Sequence, residues 1–157
     1  MKIRLVVIGK TNSSYLKNGE RDYEDRLKHY CKFEELLIPP IKNGGKLSYN
    51  EYKIKEGMLI LKNIAPKDQV ILLDKAGKSL SSIDFSNYLN QKLLYSSKRL
   101  VFVVGGAFGF SEEVYKRSDS RLSFSKMTFS HQMIRLIFKE QLYRAFTILK
   151  GEKYHHE

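Results

Sequence analysis

Ser123, Ser125, Thr128, Ser130 and His131 place four hydroxyls and an imidazole just ahead of a long amphipathic segment. Thr128 or Ser130 can cap that segment by accepting backbone hydrogen bonds from its first turn. Capping explains one residue, not the run. No nucleophile-elbow pattern surrounds any of these serines, so a serine nucleophile is not indicated. The backbone groups of the loop suit an adenosine-like ligand instead. Earlier in the chain, Gly105-Gly106-Ala107-Phe108-Gly109 follows the apolar run 100–104. Glycines let backbone approach a ligand closely. Ligands of open α/β sheets lie at the carboxyl ends of strands. The spacing is Gly-Gly-x-x-Gly, and no Lys-Ser or Lys-Thr pair follows it. It is therefore neither the dinucleotide fingerprint nor a P-loop. A nicotinamide-dependent oxidoreductase would also need an acidic ribose partner, which is missing.

The amphipathic segment carries Arg135, Lys139, Glu140, Gln141, Tyr143 and Arg144, and the chain closes on Tyr154-His155-His156-Glu157. Arg135 and Lys139 lie four apart, as do Glu140 and Arg144. On a helix each pair is either a solvated face or an internal ion pair. Cys31 is the single cysteine. A disulfide within the chain and a cysteine-based zinc site are thereby excluded. His29 reads as a helix-surface residue, and no metal site is predicted.

Elements must position these groups. Near-continuous apolar runs predict strands at 3–8, 34–39, 69–74 and 100–104, with a brief one at 121–124. Helical periodicity predicts helices over 12–30, 49–63, 82–95, 111–117 and 130–150. The first should bury Tyr15, Leu16, Gly19, Tyr23, Leu27 and Tyr30, and the second Tyr52, Met58, Leu59 and Leu61. The third stacks Phe85, Leu89 and Leu93. Strands alternating with helices imply an α/β fold, a mostly parallel sheet with helices on both faces. The last helix presents Ile134, Ile137, Phe138, Leu142, Ala145, Phe146 and Leu149, widened by Met133, Leu136 and Ile148. That stripe exceeds one sheet face, which predicts a homodimer packed on this helix.

The chain has 157 residues, 42% hydrophobic and 29% charged. One domain, 1–157, fits that length, and disorder does not fit that composition. No apolar run approaches the roughly 20 residues of a membrane helix. Lys and Arg number 28 against 17 Asp and Glu, a net charge of +11, and the pI is near 9.6. Such an excess favours a polyanionic partner, whether RNA, DNA or an anionic membrane surface, and a pI above 9 puts nucleic acid ahead of a basic surface kept for solubility. The N-terminus lacks the features of a signal peptide, which predicts a cytoplasmic protein.

Leu122-Ser-Phe-Ser-Lys-Met-Thr-Phe-Ser-His131, Arg135, Glu140-Gln141-Leu142-Tyr143-Arg144-Ala145 and Tyr154-His155 together closely resemble the RlmH family. Val103-Val104-Gly105-Gly106-x-x-Gly109 extends the match, and the resemblance spans the whole chain. These are ribosomal large-subunit RNA pseudouridine N3-methyltransferases of the SPOUT superfamily. Some relatives carry an arginine near the final residues, where this chain has His156 and Glu157, so no role is carried to those two.

The resemblance implies a deep trefoil knot in the C-terminal part, and a homodimer. It implies S-adenosyl-L-methionine as methyl donor and N3 of a pseudouridine in 23S rRNA, on the assembled ribosome, as acceptor. Leu73, Gly105, Phe124, Ser125, Lys126, Met127, Thr128 and Phe129 would hold the cofactor. Arg144, His155, Tyr154, Arg135 and Glu140 would form the catalytic group. Methyl transfer demands alignment of methyl and nitrogen, and N3 must lose a proton. Arg144 and Arg135 are the candidate cations. His155 and Glu140 are the candidate acceptors, with His155 preferred because a neutral imidazole is available near pH 7. The alternative is a non-catalytic basic RNA-binding factor for ribosome assembly on the same fold.

Overall fold

The computed structural model describes residues 2–96 and 98–157. In chain order the strands are β1 (Lys2–Ile8), β2 (Lys32–Ile38), β3 (Gln69–Ser79), β4 (Leu100–Val104) and β5 (Ser120–Ser123). The α-helices are α1 (Ser14–Leu27), α2 (Tyr49–Lys62), α3 (Ser82–Tyr95), α4 (Glu112–Arg117) and α5 (His131–Leu149), with a 3₁₀ turn at Gly44–Lys46. The five strands form one sheet in the order β2-β1-β4-β3-β5, and all the pairings are parallel.

β4 lies between β1 and β3 and is buried on both faces. Leu100, Phe102 and Val104 face one layer, with residues of α1, α3 and α5. Val101 and Val103 face the other, with Ile60 of α2 and Val114 of α4. A strand covered on both sides can be apolar at every position, which is why this run was legible as a buried strand.

The structure alters several expectations. Tyr15 is 67% exposed, and Glu20 takes an inward position on α1 instead. α2 turns Glu56, Gly57 and Ile60 inward, while Met58 is 65% exposed. β3 does not stop at Asp74 but continues to Ser79. The extension is polar, so no apolar pattern marks it. It is held by pairing with β5: Leu122 registers with both Leu73 and Lys78. Segment 74–77 thus wraps around Leu122. A Cβ at Gly77 would lie 2.8 Å from backbone atoms of Arg121 and Leu122, so only glycine permits this approach.

α5 lies in the same layer as α1 and α3 and packs against both. Much of the width of its apolar stripe is therefore covered within the chain. Leu136 meets Gly19 of α1, and Ile137 faces a recess shared with Ser82 and Phe85 of α3.

Candidate active site

At the carboxyl ends of β4 and β5, beside the Leu73–Lys75 stretch of β3, lies a cavity of about 470 Å³. Leu73, Val104, Leu122, Phe124, Phe129 and Ile134 give it apolar walls; Gly105, Gly106 and the loop before α5 add backbone groups. The volume falls within the roughly 300–1,000 Å³ of small-molecule sites. Leu73, Gly105, Phe124, Ser125, Met127, Thr128 and Phe129 all line it. Lys126 of the same loop is exposed and does not.

Local hydrogen bonds fix that loop. Ser123 Oγ donates to the Ser125 carbonyl at 2.9 Å, and Ser125 Oγ accepts from Met127 N–H at 2.9 Å. Thr128 Oγ1 accepts from Lys75 Nζ at 3.1 Å. Of the two candidate caps, Ser130 is the one used, accepting from Met133 N–H at 3.1 Å. On the opposite wall, Tyr115 donates to Asp74 at 2.8 Å.

The glycine loop rests on a residue that sequence reasoning missed. Glu56, only 2% exposed, accepts from Gly106 N–H through Oε1 at 3.0 Å, and its Oε2 has no partner. Burial pushes its carboxyl above the ordinary value, against the Gly106 hydrogen bond. A Cβ on Gly106 would fall 2.5 Å from that carboxylate. A Cβ on Gly105 would meet the Phe110 ring at 3.0 Å. A side chain at Gly105 therefore reaches the cavity by displacing Phe110, one of its walls, rather than by filling ligand space directly. The available signal was a glutamate on α2 one position before Gly57, in an inward-facing register.

Four of the five expected catalytic residues come together on the C-terminal half of α5 and the tail. Arg144 Nε donates to Glu140 Oε1 at 3.1 Å, and Nη2 donates to the same oxygen. Tyr154 donates to that oxygen too, at 3.1 Å, and its hydroxyl lies 3.1 Å from that of Tyr23. The guanidinium stands 4.7 Å from the centroid of the Tyr154 ring. Arg144 Nη1 lies 3.1 Å from His155 Nδ1. Arginine only donates, so Nδ1 accepts and the ring proton of neutral His155 sits on Nε2. Burial, Tyr23 and Glu140 all push the Tyr154 phenol upward, so it stays protonated. The hydrogen bond to Glu140 raises Arg144 further, against burial. Glu140 Oε2 accepts from Gln141 at 2.9 Å. The cluster thus holds a cation and proton donors, with its acceptors already engaged.

Arg135 is elsewhere. It is 2% exposed and donates to the carbonyls of Ile8 (2.6 Å) and Gly9 (2.9 Å) and to Thr11 Oγ1 (3.2 Å). Its guanidinium ties the end of β1 to α5. Lys139, fully buried, binds Glu20, Glu24 and Glu35 at 3.0, 2.6 and 3.2 Å. Both are internal partners of α1, β1 or β2, and neither is a solvated face. Cys31 is partly buried, and burial pushes its thiol up to about 12, which keeps it protonated.

The cavity touches α5 at His131 and Ile134. Ten residues of helix, roughly 15 Å, separate Ile134 from Arg144. Within one chain the two halves of the expected site stay apart. Among the described residues no cluster of His, Cys, Asp and Glu is placed to hold a metal. No described helix is long and apolar enough to cross a membrane.

Comparison with known proteins matches this architecture to a family. The model described as "Predicted SPOUT methyltransferase" matches residues 1–155. The chain belongs to the SPOUT methyltransferase family. A Christiangramia forsetii relative is 56% identical over 156 residues, covering 99% of both chains. A Parabacteroides distasonis relative is 57% identical and one from Bacteroides thetaiotaomicron 50%, each over the full length of both chains. All three are named "Ribosomal RNA large subunit methyltransferase H". Among solved structures, a probable methylase family protein from Haemophilus influenzae Rd KW20 superposes with a TM-score of 0.54 at 15% identity. That match covers 95% of this chain and 66% of the other, and it is a likeness of fold. The SPOUT fold carries a C-terminal trefoil knot.

Proposed function

We propose that this SPOUT protein transfers a methyl group from S-adenosyl-L-methionine to N3 of a pseudouridine in 23S rRNA, acting on the assembled ribosome in the cytoplasm. The observation that carries the reading is the cavity itself. Leu73 of β3, Gly105 after β4 and the loop before α5 meet around it. Apolar walls suit an adenine, while Asp74 and Thr128 at the same cavity supply polar contacts for a charged amino-acid tail. The relatives' shared name supports the choice of large-subunit rRNA.

S-adenosylmethionine, when bound, supplies an electrophilic methyl group. Glu56 holds the Gly106 peptide and so sets one wall of its site. Arg144 stabilises the anionic ring left when N3 loses its proton, a form of electrostatic catalysis worth several kcal/mol in water-poor sites. Glu140 and Tyr154 fix the guanidinium in place. His155 offers Nε2–H as a donor while Arg144 holds its Nδ1. This departs from the preference for His155 as base; the N3 proton passes to water.

The separation between cavity and Arg144 cluster calls for a second copy. In a C2 homodimer packed on α5, the cluster of one protomer faces the cavity of its partner. Met127, 77% exposed, and Phe129, 39% exposed, lie on the cavity loop and are available for that contact.

A thermal-shift titration with S-adenosylmethionine tests the cofactor site. A ligand that binds only the native state raises the midpoint with concentration. The expected result is a saturable rise that Gly105→Val abolishes. An unchanged midpoint would remove the cofactor assignment and favour a non-catalytic RNA-binding role.

A further inference from the structure

Beside the cofactor cavity stands an aromatic pair that the mechanism leaves unused. Phe108 belongs to the glycine loop, between Ala107 and Gly109, both of which line the cavity. It is 40% exposed, and Tyr49, at the start of α2, is 70% exposed. Their rings stack at 4.4 Å between centroids with 23° between planes. Tyr52 meets Phe108 edge-on at 5.2 Å and backs onto Gly44 of the 3₁₀ turn. Two large rings left in water cost free energy that a soluble surface usually avoids. Each ring covers one face of the other, Tyr52 supports Phe108, and both rings keep exposed surface.

The segment that carries Tyr49 is basic, while Glu112 and Glu113 open α4 on the far side of Phe108. Residues 42–55 include Lys42, Lys46, Lys53 and Lys55 against a single glutamate, Glu51. Glu51 is engaged by the Ser48 hydroxyl at 3.0 Å in the cap of α2. Lys53 lies one turn from Tyr49 on the same helix face. Ring faces interleaved with lysines match single-stranded nucleic acid, whose bases stack while its phosphates meet cations. An apolar peptide would gain from the rings but not from the lysines. Tyr49 stands on α2, which packs on the sheet face opposite α5.

We propose that Tyr49 and Phe108 form a stacking platform for an unpaired nucleobase of the RNA, beside the methylated position. This rests on the reading of the chain as an RNA methyltransferase and adds where the substrate is gripped. The platform fixes the strand next to the cavity mouth, and the neighbouring lysines hold its backbone. Stacking is tolerant of base identity, so the platform positions the strand, and selectivity among pseudouridines comes from ribosome shape.

The test uses the intact protein and a single-stranded RNA oligomer containing 2-aminopurine, whose fluorescence is quenched on stacking, at low salt. The parent should quench it. Phe108→Leu keeps an apolar side chain but loses the ring face. It should weaken binding by about 5- to 150-fold, the size of one lost base stack, and abolish the quench. Phe108→Tyr should restore both. S-adenosylmethionine affinity, measured alongside, should be the same in all three. Absence of quenching by the parent, or equal quenching by Phe108→Leu, would overturn the platform. So would a leucine variant that binds fully without quenching, which marks apolar docking. Methylation of ribosomes by the parent, followed in parallel, tests the enzymatic reading by itself. If it fails, the quench still decides the platform.

Discussion

In the proposed mechanism Arg144 serves the chemistry and Glu56 the support of the site. Arg144 is held by Glu140 and stacked on Tyr154, so its charge is oriented before substrate arrives. Arg144→Ala should leave S-adenosylmethionine binding intact while lowering kcat by roughly 10²- to 10³-fold, the usual cost of one lost electrostatic donor. Single-turnover methylation beside calorimetric cofactor titration checks both halves. Arg144→Lys should rescue little, because an ammonium cannot reproduce the guanidinium fork. Glu56 predicts a pH effect. Burial holds its carboxyl above the ordinary value, so the folded pKa exceeds the unfolded one. Its contribution to stability is then complete in acid and is lost as pH rises through the raised value. Glu56→Gln removes that titration. Urea unfolding should show the variant gaining on the parent as pH rises through the raised carboxyl value of Glu56; a constant difference from acid to neutral pH would contradict this. At this scale the sequence was only partly readable. The loop residues around the cavity announced themselves by type and spacing. Arg135 and Lys139 did not, because a pair four apart looks the same whether solvated or internal. Their partners Ile8, Glu20, Glu24 and Glu35 lie more than a hundred residues away in the chain.

α5 binds the layers together through buried charge as much as through its apolar stripe. Lys139 is raised despite its burial because Glu35, Glu24 and Glu20 converge on it, while burial raises Glu35. Lys139→Met would leave three carboxylates facing one another. It should cost about 3–5 kcal/mol, as removal of one partner from a buried ion pair does. Urea unfolding at neutral pH measures this, and the deficit should shrink in acid, where Glu35, raised by burial, takes up its proton. A deficit that grows in acid would contradict the account. Among the strands, β1 and β4 were legible because the apolar pattern is the burial pattern. The polar half of β3 was not, because backbone pairing with β5 and the room left by Gly77 build it. That half is what carries the chain around Leu122, so this stretch was the part of the sheet least visible to periodicity.

For the whole molecule, +11 charges per chain become +22 in the proposed dimer, since 2 × 11 = 22. In the proposed reading the methyltransferase surface itself grips the RNA, and charge alone does not choose one pseudouridine among many. Shape recognition of the folded ribosome would supply the choice, which makes the intact particle the substrate to test. The most direct measurement incubates the purified protein with S-adenosylmethionine and ribosomes lacking the modification. The 23S rRNA is then digested and analysed by nucleoside mass spectrometry. One N3-methylpseudouridine per ribosome, with little or none on protein-free rRNA fragments, is the result the account predicts. No methyl group on N3 of pseudouridine in ribosomes, under conditions where the protein is folded and binds the cofactor, would contradict it.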